Sequence, residues 1–123
     1  SSMYHKCEIM INESIPGKSG KNHKVPVAVK SNGMYIAIAL NKPTGNAVNK
    51  KDLIKFYDIA DDIKNGDHGT QLTDAIYGSS VGFKGDALVE LENLSKSRKQ
   101  DPEHKLEFKT ANFENRIYFV TKC

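Results

Sequence analysis

Two alternating apolar runs joined by Asn32-Gly33 constrain this chain more than any other feature. The run at 25–30, VPVAVK, places Val25, Val27 and Val29 on one side, and the run at 34–40, MYIAIAL, does the same with Ile36, Ile38 and Leu40. Side chains alternate across a strand with period two, so each run presents an apolar face. Asn-Gly supplies the positive φ angles that a two-residue hairpin turn requires. The fold must therefore contain an antiparallel hairpin over these residues. Pro26 has no N–H to give to a ladder, which predicts an edge position for the first run.

The remaining segments are read around that hairpin. Residues 6–11 read as a strand, and 14–24 as a mobile Gly-, Ser- and Lys-rich loop. Asn49 is an N-cap for a helix over 50–64, whose Leu53, Phe56, Tyr57, Ala60 and Ile63 recur at three-to-four spacing. Gly66 stops it. Residues 70–77 read as a short second helix and 81–94 as containing a strand. Residues 95–104 read as a mobile polar loop, and 106–111 with 116–120 as a second hairpin. The expected fold is a single α+β domain over 1–123. Its antiparallel or mixed sheet has about five strands, with one main helix, 50–64, on one face. The lack of regular βαβ alternation argues against a Rossmann-like arrangement. Ser1-Ser2 ahead of Met3 reads as a cloning remnant, with Met3 the natural start.

Composition narrows the class. Of 123 residues, 38% are hydrophobic and 27% charged, which fits a globular chain rather than a disordered one. No apolar run approaches the length of about 18 residues that a membrane helix needs. There is no signal-peptide pattern at the start, so a cytoplasmic location is expected. Cys7 and Cys123 lie near opposite ends and are expected to be reduced thiols. Charge is segregated: residues 1–49 carry a net +4, residues 50–95 a net −4 and residues 96–123 a net +3. A fold that brings the two basic ends to one face would attract phosphates or an acidic partner. Lys18, Lys21 and Lys24 near one end, with Arg98 and Lys99 near the other, are the expected nucleic-acid contacts. Only two of the eighteen basic residues are Arg, which favours backbone contact over base reading.

Three motifs invite comparison with known chemistry and fall short. GKSGKN (17–22) lacks the first glycine and the Ser/Thr of a phosphate-binding P-loop, and a strand follows where a helix is needed. Asp61, Asp62, Asp67 and His68 are clustered, but their spacing fits neither an EF-hand nor a zinc site. Glu107-Phe108-Lys109, with Asp86 upstream, has the E-x-K shape of metal-dependent nucleases, which is common in strands. No metal and no cofactor is expected.

The second hairpin carries the most concrete expectation. Its outward face would gather Glu107, Lys109, Arg116 and Tyr118. RNA cleavage through the 2′-hydroxyl needs a base, an acid and cations for the developing phosphorane charge. Glu107 would act as base, Lys109 and Arg116 would neutralise phosphate, and Tyr118 would orient or protonate. His68, in a His-x-Thr sequence, is a further candidate. In residue types, 106–120 is similar to the terminal hairpin of RelE-type ribosome-dependent toxins; the rest departs, since those toxins open with helices and this chain with strands. The expected function is action on RNA, as a metal-independent endoribonuclease of toxin type. Its partners would be RNA or a nucleoprotein complex, with a protein inhibitor or host target also in view. The alternative is a non-enzymatic protein of phage or mobile-element type that blocks a host protein or nucleoprotein complex.

Overall fold

A computed structural model describes residues 7–41, 46–99 and 106–112. The described elements are β1 (Cys7–Pro16), β2 (Asn22–Ser31), β3 (Met34–Asn41), α1 (Lys50–Lys64), β4 (Asp74–Ser79), α2 (Gly85–Lys99) and β5 (Glu107–Asn112). The strands form one mixed sheet in the order β1-β2-β3-β4-β5. β1, β2 and β3 run as an antiparallel meander, and β3, β4 and β5 are parallel. The Asn32-Gly33 turn forms as the sequence demands, with φ of 52° and 80°.

Helix α1 starts where its sequence says it should. The Asn49 side chain accepts from the Asp52 N–H, and the Asp52 carboxylate accepts from the Asn49 N–H, each at 3.0 Å. This reciprocal cap satisfies two of the amides that every helix start leaves over. The predicted stripe of Leu53, Phe56, Tyr57, Ala60 and Ile63 is buried against the sheet. Phe56 stands at the centre, with its ring edge-on to Tyr77 and Phe108. Full burial of each large member contributes about 1.5–3 kcal/mol.

Several segments differ from the sequence expectation. Residues 14–16 and 22–24, expected in a mobile loop, extend β1 and β2, because their cross-strand pairing continues to Pro16↔Asn22 and leaves only 17–21 as the turn. Residues 95–99, expected to open a polar loop, complete α2. Residues 81–94 hold a helix: Ala87, Leu91 and Leu94 pack on the core at helical spacing, while Leu88 and Val89 are exposed. The alternation of Val89 and Leu91 with glutamates imitates a strand, but helix-forming Ala, Leu, Glu and Lys dominate from 86 to 99. That helix also creates the β3-α1-β4-α2-β5 alternation that the sequence reading discounted. Residues 74–79 form β4 rather than a helix, because the chain passes through the middle of the parallel half, where Ala75 and Tyr77 face the core. Residues 116–120, the expected hairpin partner of β5, lie outside the described residues. β5 pairs with β4 in parallel.

Pro26 is not on an edge strand, since β2 lies between β1 and β3. It sits instead where the ladders are interrupted. The β1–β2 register passes from Ile11↔Val27 to Glu13↔Val25, skipping Asn12 and Pro26, and Asn12 has φ of 52°. β2 pairs with β3 only from Val27 onward. The consequence is a bend. Tyr35 pairs with Lys30, and Glu13 with Val25, five residues further along β2. A flat ladder would separate those rows by about 17 Å, yet the Tyr35 hydroxyl donates to the Glu13 carboxylate. Residues 13–25 therefore fold back over the helix-bearing face as a two-stranded arm, and Ile15 and Val25 enter the core completely. Cys7 is disulfide-bonded rather than a reduced thiol. The other cysteine of the sequence, Cys123, lies outside the described residues.

Candidate functional site

The folded arm carries the basic turn to the C-terminal end of α1, where one carboxylate collects it. Asp62 accepts from the Ser19 N–H at 2.9 Å and from the Ser19 hydroxyl at 2.6 Å. His23 Nε2 lies 2.6 Å from the same carboxylate. The Lys18 N–H donates to the Asp62 carbonyl at 2.9 Å. The hydrogen bond with His23, followed by those from the Ser19 hydroxyl and N–H, pulls Asp62 down to about 2. These bonds stabilise the charged carboxylate directly.

The turn has no spare backbone donor. Gly17 N–H donates to the Lys21 carbonyl, Gly20 N–H to the Gly17 carbonyl, and Lys21 N–H to the Ser19 hydroxyl. With Lys18 and Ser19 bound to Asp62, each amide from 17 to 21 is engaged. A P-loop works by aiming free amides at phosphate, so this turn cannot be one, as its sequence also indicated. What it presents is side-chain charge: Lys18 and Lys21 are exposed on it, and Lys24 is exposed on β2 just beyond. Ser19, His23 and Asp62 do not form a nucleophilic triad, because serine and histidine both address the carboxylate.

Two glycines let the arm come this close. A Cβ on Gly17 would stand 2.0 Å from an Asp62 carboxylate oxygen. A Cβ on Gly66 would stand 3.1 Å from the Lys18 nitrogen and the Gly17 carbonyl carbon. The turn thus abuts the segment after α1 that carries His68. That histidine is exposed, and its carbonyl accepts from the Tyr35 N–H at 3.0 Å, at the start of β3. Lys64 ties down the rest of this segment by donating to the Thr70 and Leu72 carbonyls.

The other expected residues are distributed differently. Glu107 is exposed at the start of β5, its N–H donating to the Thr73 carbonyl at 2.8 Å. It shares the strand-start end of the sheet with His68, two strands and about 10 Å of backbone spacing away. Lys109 takes its register position opposite Ile76. Arg98 and Lys99 fall in the last turn of α2. Arg116 and Tyr118 lie outside the described residues. The structure thus joins the Lys18–Lys21 turn to the His68 segment. Among the described residues no group of three or more His, Cys, Asp or Glu is placed to hold a metal. In the sequence Asp62 stands out only within the Asp61–His68 cluster; its connection to Ser19 and His23 escaped the sequence reading because nothing local relates residues 43 and 39 positions apart.

No family model matches this chain, and no curated protein matches it. It is similar in fold to a crystal structure described as a protein of unknown function, AF1548, with a TM-score of 0.56 at 10% sequence identity. The match covers 85% of this chain and 49% of the other, so this chain spans about half of that protein's length. At that identity the likeness speaks for the fold alone.

Proposed function

We propose that the chain binds RNA through its phosphate backbone, with the arm turn as the contact. The supporting observation is the fixed presentation of Lys18 and Lys21 on a turn whose own backbone is fully hydrogen-bonded, with Lys24 exposed on the adjoining strand β2. Ammonium groups without spare amides read charge rather than base identity, and the scarcity of arginine agrees with that. RNA or a nucleoprotein complex in the cytoplasm is the partner this reading carries with it. No described helix is long and apolar enough to cross a membrane.

The test is fluorescence anisotropy with a labelled single-stranded RNA over a salt series. Each phosphate contact on a single strand contributes about 0.7 to the slope of log affinity against log salt. Replacing Lys18, Lys21 and Lys24 together by Ala is expected to weaken binding at low salt and lower that slope by about 2. An unchanged slope, or no binding by the parent, overturns the proposal. Recovering the RNA on a gel, with and without EDTA, examines the toxin-type endoribonuclease reading. Fragments that persist in EDTA and vanish in His68→Ala would support cleavage. The inhibitory-protein reading is favoured by Ile9, Ile11, Leu88 and Val89, all at least half exposed. It predicts a stoichiometric protein complex and no turnover.

A further inference from the structure

We infer that Asp62 is the positioning residue for this RNA contact: a carboxylate that repels phosphate, yet is required for binding it because it fixes the turn that bears the lysines. The inference rests on the RNA reading above. Asp62 sits on α1, and the lysines sit on the arm beyond the bend at Asn12 and Pro26. Beside the core contacts of Ile15 and Val25, the Tyr35–Glu13 bond and the packing of Gly66 against Gly17 and Lys18, the described hydrogen bonds from this turn to α1 converge on one residue. Lys18 donates to the Asp62 carbonyl, Ser19 gives two bonds to its carboxylate, and His23 gives a third. The Ser19 hydroxyl passes the restraint on by accepting from the Lys21 N–H. Lys18 and Lys21 thus flank a serine locked at backbone and side chain, and Lys24 follows the locked His23. Without the carboxylate the arm root stays packed, but the tip loses its fixed shape. Ordering it again on binding then opposes association.

Electrostatics and positioning predict opposite signs, which makes the inference testable. Charge alone says that neutralising Asp62 strengthens binding to a polyanion. Positioning says that binding weakens. The same single-stranded RNA is titrated with the full chain, Asp62→Ala, Asp62→Asn, Ser19→Ala and the triple lysine variant. Asp62→Ala is expected to bind about tenfold more weakly, and Ser19→Ala about threefold. Asp62→Asn keeps an acceptor for the Ser19 N–H and is expected to fall between Asp62→Ala and the parent. The salt slope is expected to stay within about 0.7 of the parent in all three, because the lysines are retained. Ser19→Ala alters an exposed side chain, so it keeps the test valid should Asp62→Ala fail to fold, which circular dichroism will reveal. Equal or tighter binding by folded Asp62→Asn and Ser19→Ala overturns the inference. If those variants match the parent while the triple lysine variant loses affinity, the RNA reading stands and the positioning role falls. If the lysine variant loses nothing, the RNA reading itself falls.

Discussion

The two turns of the β1–β2–β3 meander reach a fixed shape by opposite routes. The Asn32-Gly33 turn is self-sufficient: two adjacent residues adopt positive φ and the flanking runs zip together around them. The Gly17–Lys21 turn takes its shape from a side chain 43 residues further along the chain, at the end of a helix. The first turn shapes the sheet and presents no cluster of charge. The second is held from outside and presents Lys18 and Lys21, with Lys24 on the strand that leaves it. A turn fixed by its own sequence has little freedom to vary, whereas one fixed at a distance can give its exposed positions to a ligand.

The largest test of this contrast is at the arm's root. Ile15→Ala is expected to cost about 3 kcal/mol in urea unfolding, because Ile15 is completely buried where the arm meets the core. A loss below about 1 kcal/mol would mean that the arm is not part of the cooperative core. Gly17→Ala comes next. The new methyl must displace the Asp62 carboxylate, and loss of its hydrogen bonds is expected to lower the urea midpoint by less than Ile15→Ala does, while leaving α1 intact by circular dichroism. Gly33→Ala strains only the local turn, since φ there is 80° with open space around it, and about 1 kcal/mol is expected. If Gly33→Ala also weakened RNA binding, the separation between the two turns would be wrong.

Smaller still are the effects of pH. Asp62 falls from an ordinary 3.8 to about 2 in the folded chain. Its contribution is therefore whole above about pH 5 and drains away as pH falls toward 2. The difference in melting temperature between the parent and Asp62→Asn is expected to shrink over that interval. A constant difference would show that the charge of Asp62 does not matter. Tyr35 behaves in the opposite sense. Burial, with the hydrogen bond to Glu13 and its charge, pushes the phenol up to about 12, so its contribution is whole below pH 10 and is lost as pH rises from 10 through about 12. Absorbance titration of Glu13→Gln should show an earlier ionisation than the parent.

The parts of the fold legible in the sequence were those governed by neighbours along the chain. The Asn32-Gly33 hairpin, the Asn49 cap and the α1 stripe depend on residues at most a few turns apart. β4 and α2 were misread because their states answer to the parallel half of the sheet, where a short apolar segment takes whichever form its neighbours complete. At the candidate site, Lys18, Lys21, Lys24 and His68 were visible as residue types. That His23, Ser19 and Asp62 together arrange the turn was not visible, since the bend that brings them together comes from a proline read as an edge marker.

That bend has one more consequence, for how copies of the molecule behave toward each other. An outer strand with open hydrogen-bonding groups is a template on which further chains can add. β1 ends the described sheet and is ten residues long, long enough to serve as such a template if flat. Past Asn12 it turns inward over the helix, and only 7–11 stay in the plane of the sheet, with the charge of Glu8 among them. The fold that delivers the lysines to one place therefore also shortens one of the two borders of the described sheet along which further strands could add.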